Sequence, residues 1–376
     1  MGPLHGVKVV EMAGLAPAPF GAMMLADLGA DVLRIDRTGP SASGLAAPAG
    51  PLDRGKHRIC LDIKNTEHLG LLYAIVESAD VFIEGFRPGV AERLGIGPDE
   101  LLGRQPGLIY GRMTGWGQAG PMASVAGHDI NYIGLSGALS LSGRANGRPT
   151  PAANLLADFA GGGMLLALGV IAALYERRES DRGQVVDAAM VDGSALLTAF
   201  IHGMYGAGLW NDPPGENVLE GGAAPFYNVY ECADGKFVAV GCVEYPFYVQ
   251  MLAELGIDDT ELPFQLDRRG WPQIRALLES KFKERSRDEW AELFAVSDAC
   301  VTPILEITEV HEHTHNQARE SFIEIDGVRQ PAPAPRFSRT IVEHPTAIRD
   351  GSAALTNLLT SWKVDPDRLA KAGIAP

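Results

Sequence analysis

The residues able to do chemistry in this chain fall into three short passages. In Gly127-His128-Asp129-Ile130-Asn131-Tyr132 an imidazole directly precedes a stretch whose apolar positions, Ile130, Ile133, Leu135, Ala138 and Leu139, recur at roughly helical spacing. Asp129 then falls near the helix N-cap. There backbone N–H groups face outward and the dipole favours negative charge, so an oxyanion can be held beside an imidazole base. A capping aspartate with an incidental histidine fits the same pattern. Asp158 precedes a glycine-rich apolar run at 159–175, and capping is again the plain reading. Between Leu155, Leu156, Ala157 and Phe159, however, its carboxyl is expected to be partly desolvated. Desolvation raises it above the ordinary value of about 3.9 and makes it a better proton carrier. Glu244, in Gly241-Cys242-Val243-Glu244-Tyr245-Pro246, stands at a strand-to-helix turn and reads by itself as an exposed first-turn glutamate.

A fourth signal is charge. From Leu33 to Lys64, Arg34, Arg37, Arg54, Lys56, Arg58 and Lys64 outnumber Asp36, Asp53 and Asp62, in a chain whose net charge is −15. Scattered surface cations are the plain alternative. Yet these residues sit at expected strand ends and their loops, where open α/β sheets bind ligands, and Arg87 and Arg93 extend the same rim. A small phosphate-bearing anion is the partner such a rim fits.

Two familiar patterns fail on inspection. The turn Ala13-Gly14-Leu15-Ala16-Pro17 holds the place of a dinucleotide-binding loop, but two of its three glycines are missing and Pro17 stiffens it. His311-Glu312-His313-Thr314-His315 formally satisfies the zinc-protease spacing. Its flanks are polar, and the extended form of that motif needs a glycine and a histidine where this chain has Ala318 and Ser321. A solvated helix or loop is expected there, and no metal.

The elements that must position these residues alternate. Strand-like runs at 7–12, 30–36, 57–63, 80–86 and 108–113 are separated by helical patterns at 19–28, 67–78 and 89–94. Such alternation predicts a mostly parallel sheet covered on both faces. Proline-rich stretches at 212–226 and 329–336 bracket a second block. Within it, strands surround a turn at 233–235 and helices are expected at 246–255, 271–282 and 287–294. The expected organisation is therefore a large domain of residues 1–200 completed by 330–376, a linker at 201–226, a small α+β domain at 227–315 and a return linker at 316–329.

Composition bounds the rest. The 376 residues, 46% hydrophobic and 21% charged, suit an ordinary folded protein, and the acidic balance repels nucleic acid and anionic membranes. The uncharged runs at 159–175 and 193–211 are short or diluted by polar residues and glycines, and read as buried helices. Cys60, Cys232, Cys242 and Cys300 lie far apart, without a metal or disulfide spacing, and are expected as buried small hydrophobes in a reducing compartment. With no apolar leader at the N-terminus and no Ser-Lys-Leu at the C-terminus, a cytoplasmic location is expected.

Taken together, ADVLRID (30–36), DVFIEGFRPGVAERLGIG (80–97), RMTGWGQAGP (112–121), AGHDINY (126–132), GQVVDAAMVDGS (183–194) and APRFSRT (334–340) resemble the class III CoA-transferase superfamily, in order and over nearly the whole chain. Because His128-Asp129, Asp158 and Glu244 occur together, the likeness is greatest to members that epimerise 2-methylacyl-CoA thioesters. Acyl-transferring members rely on a lone aspartate at the position of Asp158. The resemblance implies a Rossmann-like large domain, a smaller α+β domain reached by long linkers, and two ring-like subunits interlocked as a homodimer. It also implies that Glu244 approaches the His128 and Asp158 of the other subunit. CoA, part of the substrate and the only cofactor-like group, is assigned to Arg37, Leu61, Ile63, Lys64, Gly85, Phe86, Arg87 and Arg93.

Epimerising a thioester α-carbon needs a proton to leave one face and another to reach the opposite face, with donors for the enolate oxygen. The expected roles are His128 on one face, Asp158 on the other, the backbone N–H of Asp129 on the enolate and Glu244 orienting His128. The alternative reading is an acyl-CoA:carboxylate CoA-transferase in which Asp158 attacks the thioester.

Overall fold

β-Branched runs alternating with helical ones build a six-stranded, wholly parallel sheet. A computed structural model describes residues 2–39 and 50–373; residues 1, 40–49 and 374–376, which the expected large domain includes, lie outside the described residues. The strands are β1 (Lys8–Met12), β2 (Asp31–Asp36), β3 (Lys56–Cys60), β4 (Val81–Glu84), β5 (Ile109–Thr114) and β6 (Gln184–Ala189), in the order β3-β2-β1-β4-β5-β6. Every residue of β4 and β5 is buried, as expected when helices cover both faces. The connecting helices are α1 (Pro17–Asp27), α2 (Thr66–Glu77), α3 (Val90–Arg93), α4 (Pro98–Arg104) and α5 (Asp129–Leu135). A π-wound segment, Leu155–Met164, then continues into α6 (Leu165–Ser180), and α7 (Met190–Leu197) follows β6.

The strand order reverses at β1, so the crevice beyond the C-terminal ends of β1 and β4 is the ligand-binding place of such a sheet. One face of the sheet packs Val10, Leu33, Ile59, Phe82 and Tyr110 against α2 and against Leu355, Leu359 and Trp362 of the C-terminal helices. The tail completes the layer in this way. Among the described residues it adds to this sheet no full strand, only a single parallel bridge between His57 and Arg349.

The described chain divides into two compact units, Met1–Ser136 with Ala152–Thr198 and Ala318–Pro376, and Gly137–Pro151 with Ala199–Gln317. The second holds an antiparallel sheet of β7 (Tyr227–Glu231), β8 (Phe237–Gly241) and β9 (Val301–Pro303), with α8 (Ala199–Gly206), α9 (Tyr245–Glu254), α10 (Trp271–Phe282) and α11 (Arg287–Phe294). Period-two alternation on β7 turns Asn228 and Tyr230 inward, to a core of Phe226, Tyr248, Trp271, Phe282 and Trp290.

The unit boundaries differ from those expected. Residues 137–151 and the supposed linker 201–226 belong to the second unit, while 318–329 belong to the first. Glycine explains the first difference: Gly215 and Gly221 sit so close to the backbone of Arg144, Ala145 and Gly143 that no side chain fits between them. The return stretch is not a linker but a hairpin, Phe322–Ile325 with Val328–Pro331.

The two apolar runs form helices, but they are not buried as expected. Leu168, Tyr175, Leu196, Phe200 and Tyr205 are each more than 60% exposed. By length and composition alone Leu155–Ser180 is apolar enough to cross a membrane, yet its glycine face packs on protein. A Cβ on Gly163 would meet the carbonyl oxygen of Pro17 at 2.6 Å, and Gly161 lies against Gly193 of α7. Of the cysteines, Cys232 and Cys242 are buried, whereas Cys60 and Cys300 are exposed because each ends or precedes an edge strand.

Candidate active site

All of the first unit's candidate residues follow the C-terminal ends of parallel strands. From β5 the chain passes through Gly115-Trp116-Gly117 to α5, where Tyr132 fills the space left by two glycines, Gly115 and Gly127, and meets Trp116 edge-on at 4.7 Å. This packing fixes the start of α5, with His128 as its extended N-cap residue. Asn131 Oδ1 accepts the His128 N–H at 3.0 Å, and the His128 carbonyl accepts the Asn131 N–H at 2.8 Å. The residue is exposed, and its imidazole makes no hydrogen bond among the described residues.

Asp129 is 4% exposed and does not cap its own helix. Its Oδ2 accepts the N–H groups of Ala157 at 2.7 Å and Asp158 at 2.9 Å, satisfying two free donors in the first turn of the π-wound segment. Its Oδ1 is buried without a partner among the described residues. Asp158 therefore lies inside that first turn rather than before it, and the capping reading of both aspartates gives way to a cross-helix tie. π-Winding is rare and concentrates at functional sites. Here it coincides with Gly161-Gly162-Gly163, whose missing side chains allow the segment to lie against α1 and α7.

The Asp158 carboxyl is half-buried and accepts one neutral hydrogen bond, from Asn154 Nδ2 at 2.9 Å. Burial pushes its pKa above the ordinary carboxylate value; Asn154 lowers it, the Asp129 charge raises it and His128 lowers it, with the net shift upward. His128, Asp129 and Asp158 are thus brought together. Tyr132 joins them: burial and the Asp158 charge push its hydroxyl up, and Arg87 pulls it down, which ties this cluster electrostatically to the loop after β4. Glu244 follows β8. It belongs to the second unit, exposed at the N-cap of α9, where after burial its charge is the next cause raising the Cys300 thiol.

Sequence reasoning gave no role to Asn154 or Tyr132. The signals were present, because Asn154 lies four residues before Asp158, on the same face of a helical turn, and glycines flank the space of the Tyr132 ring.

The basic rim is thinner than its composition suggested. Arg34 pairs with Asp36 at 3.0 Å and with Asp53, Arg54 with Asp27 at 2.5 Å, Lys56 with Glu11 at 2.6 Å and Arg58 with Asp350 at 2.6 Å. These four are taken up by the fold. Arg37 after β2, Lys64 after β3, Arg87 after β4 and Arg93 on α3 remain exposed, with no carboxylate within ion-pair distance among the described residues. Gly85 is exposed beside Ala18, and Ile63 and Phe86 are partly buried against the core. Leu61 is 1% exposed, so its side chain belongs to the core rather than to a ligand surface. Among the described residues no three side chains form a metal-ligand group, and His311, Glu312 and His315 sit in a polar turn and the first residues of a short helix.

Comparison with known proteins places this arrangement. The chain is 47% identical to mouse alpha-methylacyl-CoA racemase, over 93% of this chain and 90% of that protein. It is 46% identical to the human alpha-methylacyl-CoA racemase, over 88% and 86%. A crystal structure of a CaiB/BaiF family protein from Brucella suis superposes with a TM-score of 0.80 at 26% identity, covering 95% of this chain and 99% of that one. The profile of CoA-transferase family III matches residues 4–354, and the chain belongs to CoA-transferase family III.

Proposed function

We propose that this protein interconverts the R and S forms of 2-methylacyl-CoA thioesters by moving a proton across the α-carbon. The observation that carries the reading is the Asp158 carboxyl, held half-buried by a neutral amide and by no cation, within electrostatic reach of the unbonded imidazole of His128. Burial without a fixed countercharge raises a carboxyl above its ordinary value and makes it a better proton carrier, as a two-base mechanism requires.

In this mechanism His128 serves one face of the α-carbon and Asp158 the other, while the Asp129 N–H donates to the enolate oxygen. Asp129's side chain, by holding the N–H groups of residues 157 and 158, sets the distance between the two carriers. Arg37, Lys64, Arg87 and Arg93 bind the CoA phosphates, with Gly85, Ile63 and Phe86 beside the nucleotide, so that remote binding energy orients the thioester. The relatives' names support this substrate class.

The active form is a homodimer of interlocked subunits in which Glu244 of the other subunit orients His128. The exposed apolar side chains of α6, α7 and α8, including Leu168, Tyr175, Leu196, Phe200 and Tyr205, support burial against a second copy.

Incubation with a single enantiomer of a 2-methylacyl-CoA in deuterated water tests the reading. α-Deuterium incorporation with loss of optical purity, and without an added acceptor acid, is the expected result. CoA transfer that depends on an added carboxylate, with no exchange, would replace the racemase by a transferase.

A further inference from the structure

The first unit contains a buried ionic cluster that the proton-transfer reading does not use. Arg112, the last residue of β5 to pair with β4, lies opposite Glu84 in the ladder. Its side chain is 8% exposed. Nε donates to Glu84 Oε1 at 2.9 Å and Nη1 donates to Glu92 Oε1 at 2.9 Å, while Nη2 is buried without a partner among the described residues. The other oxygen of Glu84 accepts the Phe86 N–H at 2.6 Å. Glu84 ends β4 and Glu92 lies on α3, so one guanidinium grips both ends of the segment Gly85-Phe86-Arg87-Pro88-Gly89.

We propose that Arg112 is the positioning residue of the CoA-phosphate site, acting through Glu84 and Glu92 to aim Arg87 and Arg93. The inference rests on the reading of those two arginines as phosphate ligands. Buried ion clusters add little stability over apolar packing of the same volume, so an arginine kept here with one idle N–H group is explained by geometry rather than by stability. Arginine's rigid fork fixes two carboxylates at once, which a lysine ammonium on a flexible stem does not. Glycine makes the aim specific: Gly89 takes a left-handed φ of 78° at the turn into α3, and a Cβ there would lie 3.3 Å from the Arg93 guanidinium.

The test compares two substrates, a 2-methylacyl-CoA and the same acyl group on N-acetylcysteamine, which lacks the nucleotide and its phosphates. For Arg112→Lys the expected result is a KM for the CoA ester raised about tenfold, kcat within about twofold of the parent, and an unchanged kcat/KM for the truncated thioester. Equal losses on both substrates, or an unchanged KM for the CoA ester, overturn the proposal. Should that variant not fold, Glu92→Gln, at an exposed position, carries the test: it loosens one end of the grip and is expected to raise only the KM for the CoA ester, about threefold. An unchanged KM there overturns the proposal equally. Arg87→Ala and Arg93→Ala separate the two readings. If neither raises the KM for the CoA ester, the phosphate site itself is misassigned; if both do while Arg112→Lys does not, only the positioning role fails.

Discussion

Two carboxylates at the C-terminal edge of the same sheet are treated in opposite ways. Glu11 of β1 is wholly buried and meets the wholly buried Lys56 ammonium at 2.6 Å, with the Pro19 carbonyl accepting a second ammonium proton at 3.0 Å. Asp129, after β5, is almost as deeply buried but faces no cation; two peptide N–H groups hold it, and its neighbour Asp158 has one amide. The first arrangement sets a buried carboxylate directly against a buried ammonium. The second holds its carboxyls with neutral donors, peptide N–H groups for Asp129 and an amide for Asp158, and it lies beside the imidazole. A fold can thus bury acidic groups against a cation on one side of its switch point and against neutral donors on the other.

The largest expected effects sharpen that contrast. His128→Ala and Asp158→Asn should each slow α-deuterium exchange by roughly 10²–10⁴-fold, as removal of a general acid or base does, and the double variant should lose much less than the product of the two. Circular dichroism should match the parent, and neither variant should melt below it. Exchange that persists within about tenfold of the parent in either variant would break the distinction between the two carboxylate regions, since the dipole-held group would then be structural as well.

Lys56→Met probes the other side. Leaving Glu11 buried without its cation should cost on the order of 3–5 kcal/mol in urea unfolding, whereas Glu11→Leu with Lys56→Met together should recover most of it. A single-variant cost below about 1 kcal/mol would mean that this pair is no more a clamp than the site cluster. Exchange per folded molecule should be unchanged, because neither residue touches the proton path.

The sheet was legible because its signal is local. Runs such as 30–36 and 80–86 carry strand residues between helical periods, and β2 and β4 fall within one to two residues of the expected ends. α10 and α11 match their expected bounds for the same reason. What escaped depends on contacts distant in sequence. β9 is three residues long and exists only because Val301 and its neighbours pair with β8. The assignment of 137–151 to the second unit depends on backbone contact with Gly215 and Gly221. In the site, the residue types were readable but their partners were not. Asp129 looked like the cap of its own helix and instead holds a turn 28 residues away. Six cations looked like one rim, until four of them found carboxylates that composition alone could not assign.

The smallest expected effect tests the dipole-held carboxyl without any substrate. Because burial raises the folded-state pKa of Asp158 above its ordinary 3.8, the folded protein holds that proton more tightly than the unfolded chain does. Its contribution to stability is therefore fully present below the unfolded pKa and is lost as pH rises through the folded one. Asp158→Asn keeps an acceptor for Asn154 but carries no charge to desolvate. Its stability relative to the parent should climb as pH rises past the ordinary carboxylate value of 3.8 and level off once Asp158 is ionised in the folded protein, leaving the inactive variant slightly the more stable. Urea unfolding at several pH values measures this difference. A flat profile, or an asparagine variant less stable than the parent at neutral pH, would mean that the Asp158 charge is well compensated, and the feature separating this cluster from Glu11 and Lys56 would disappear.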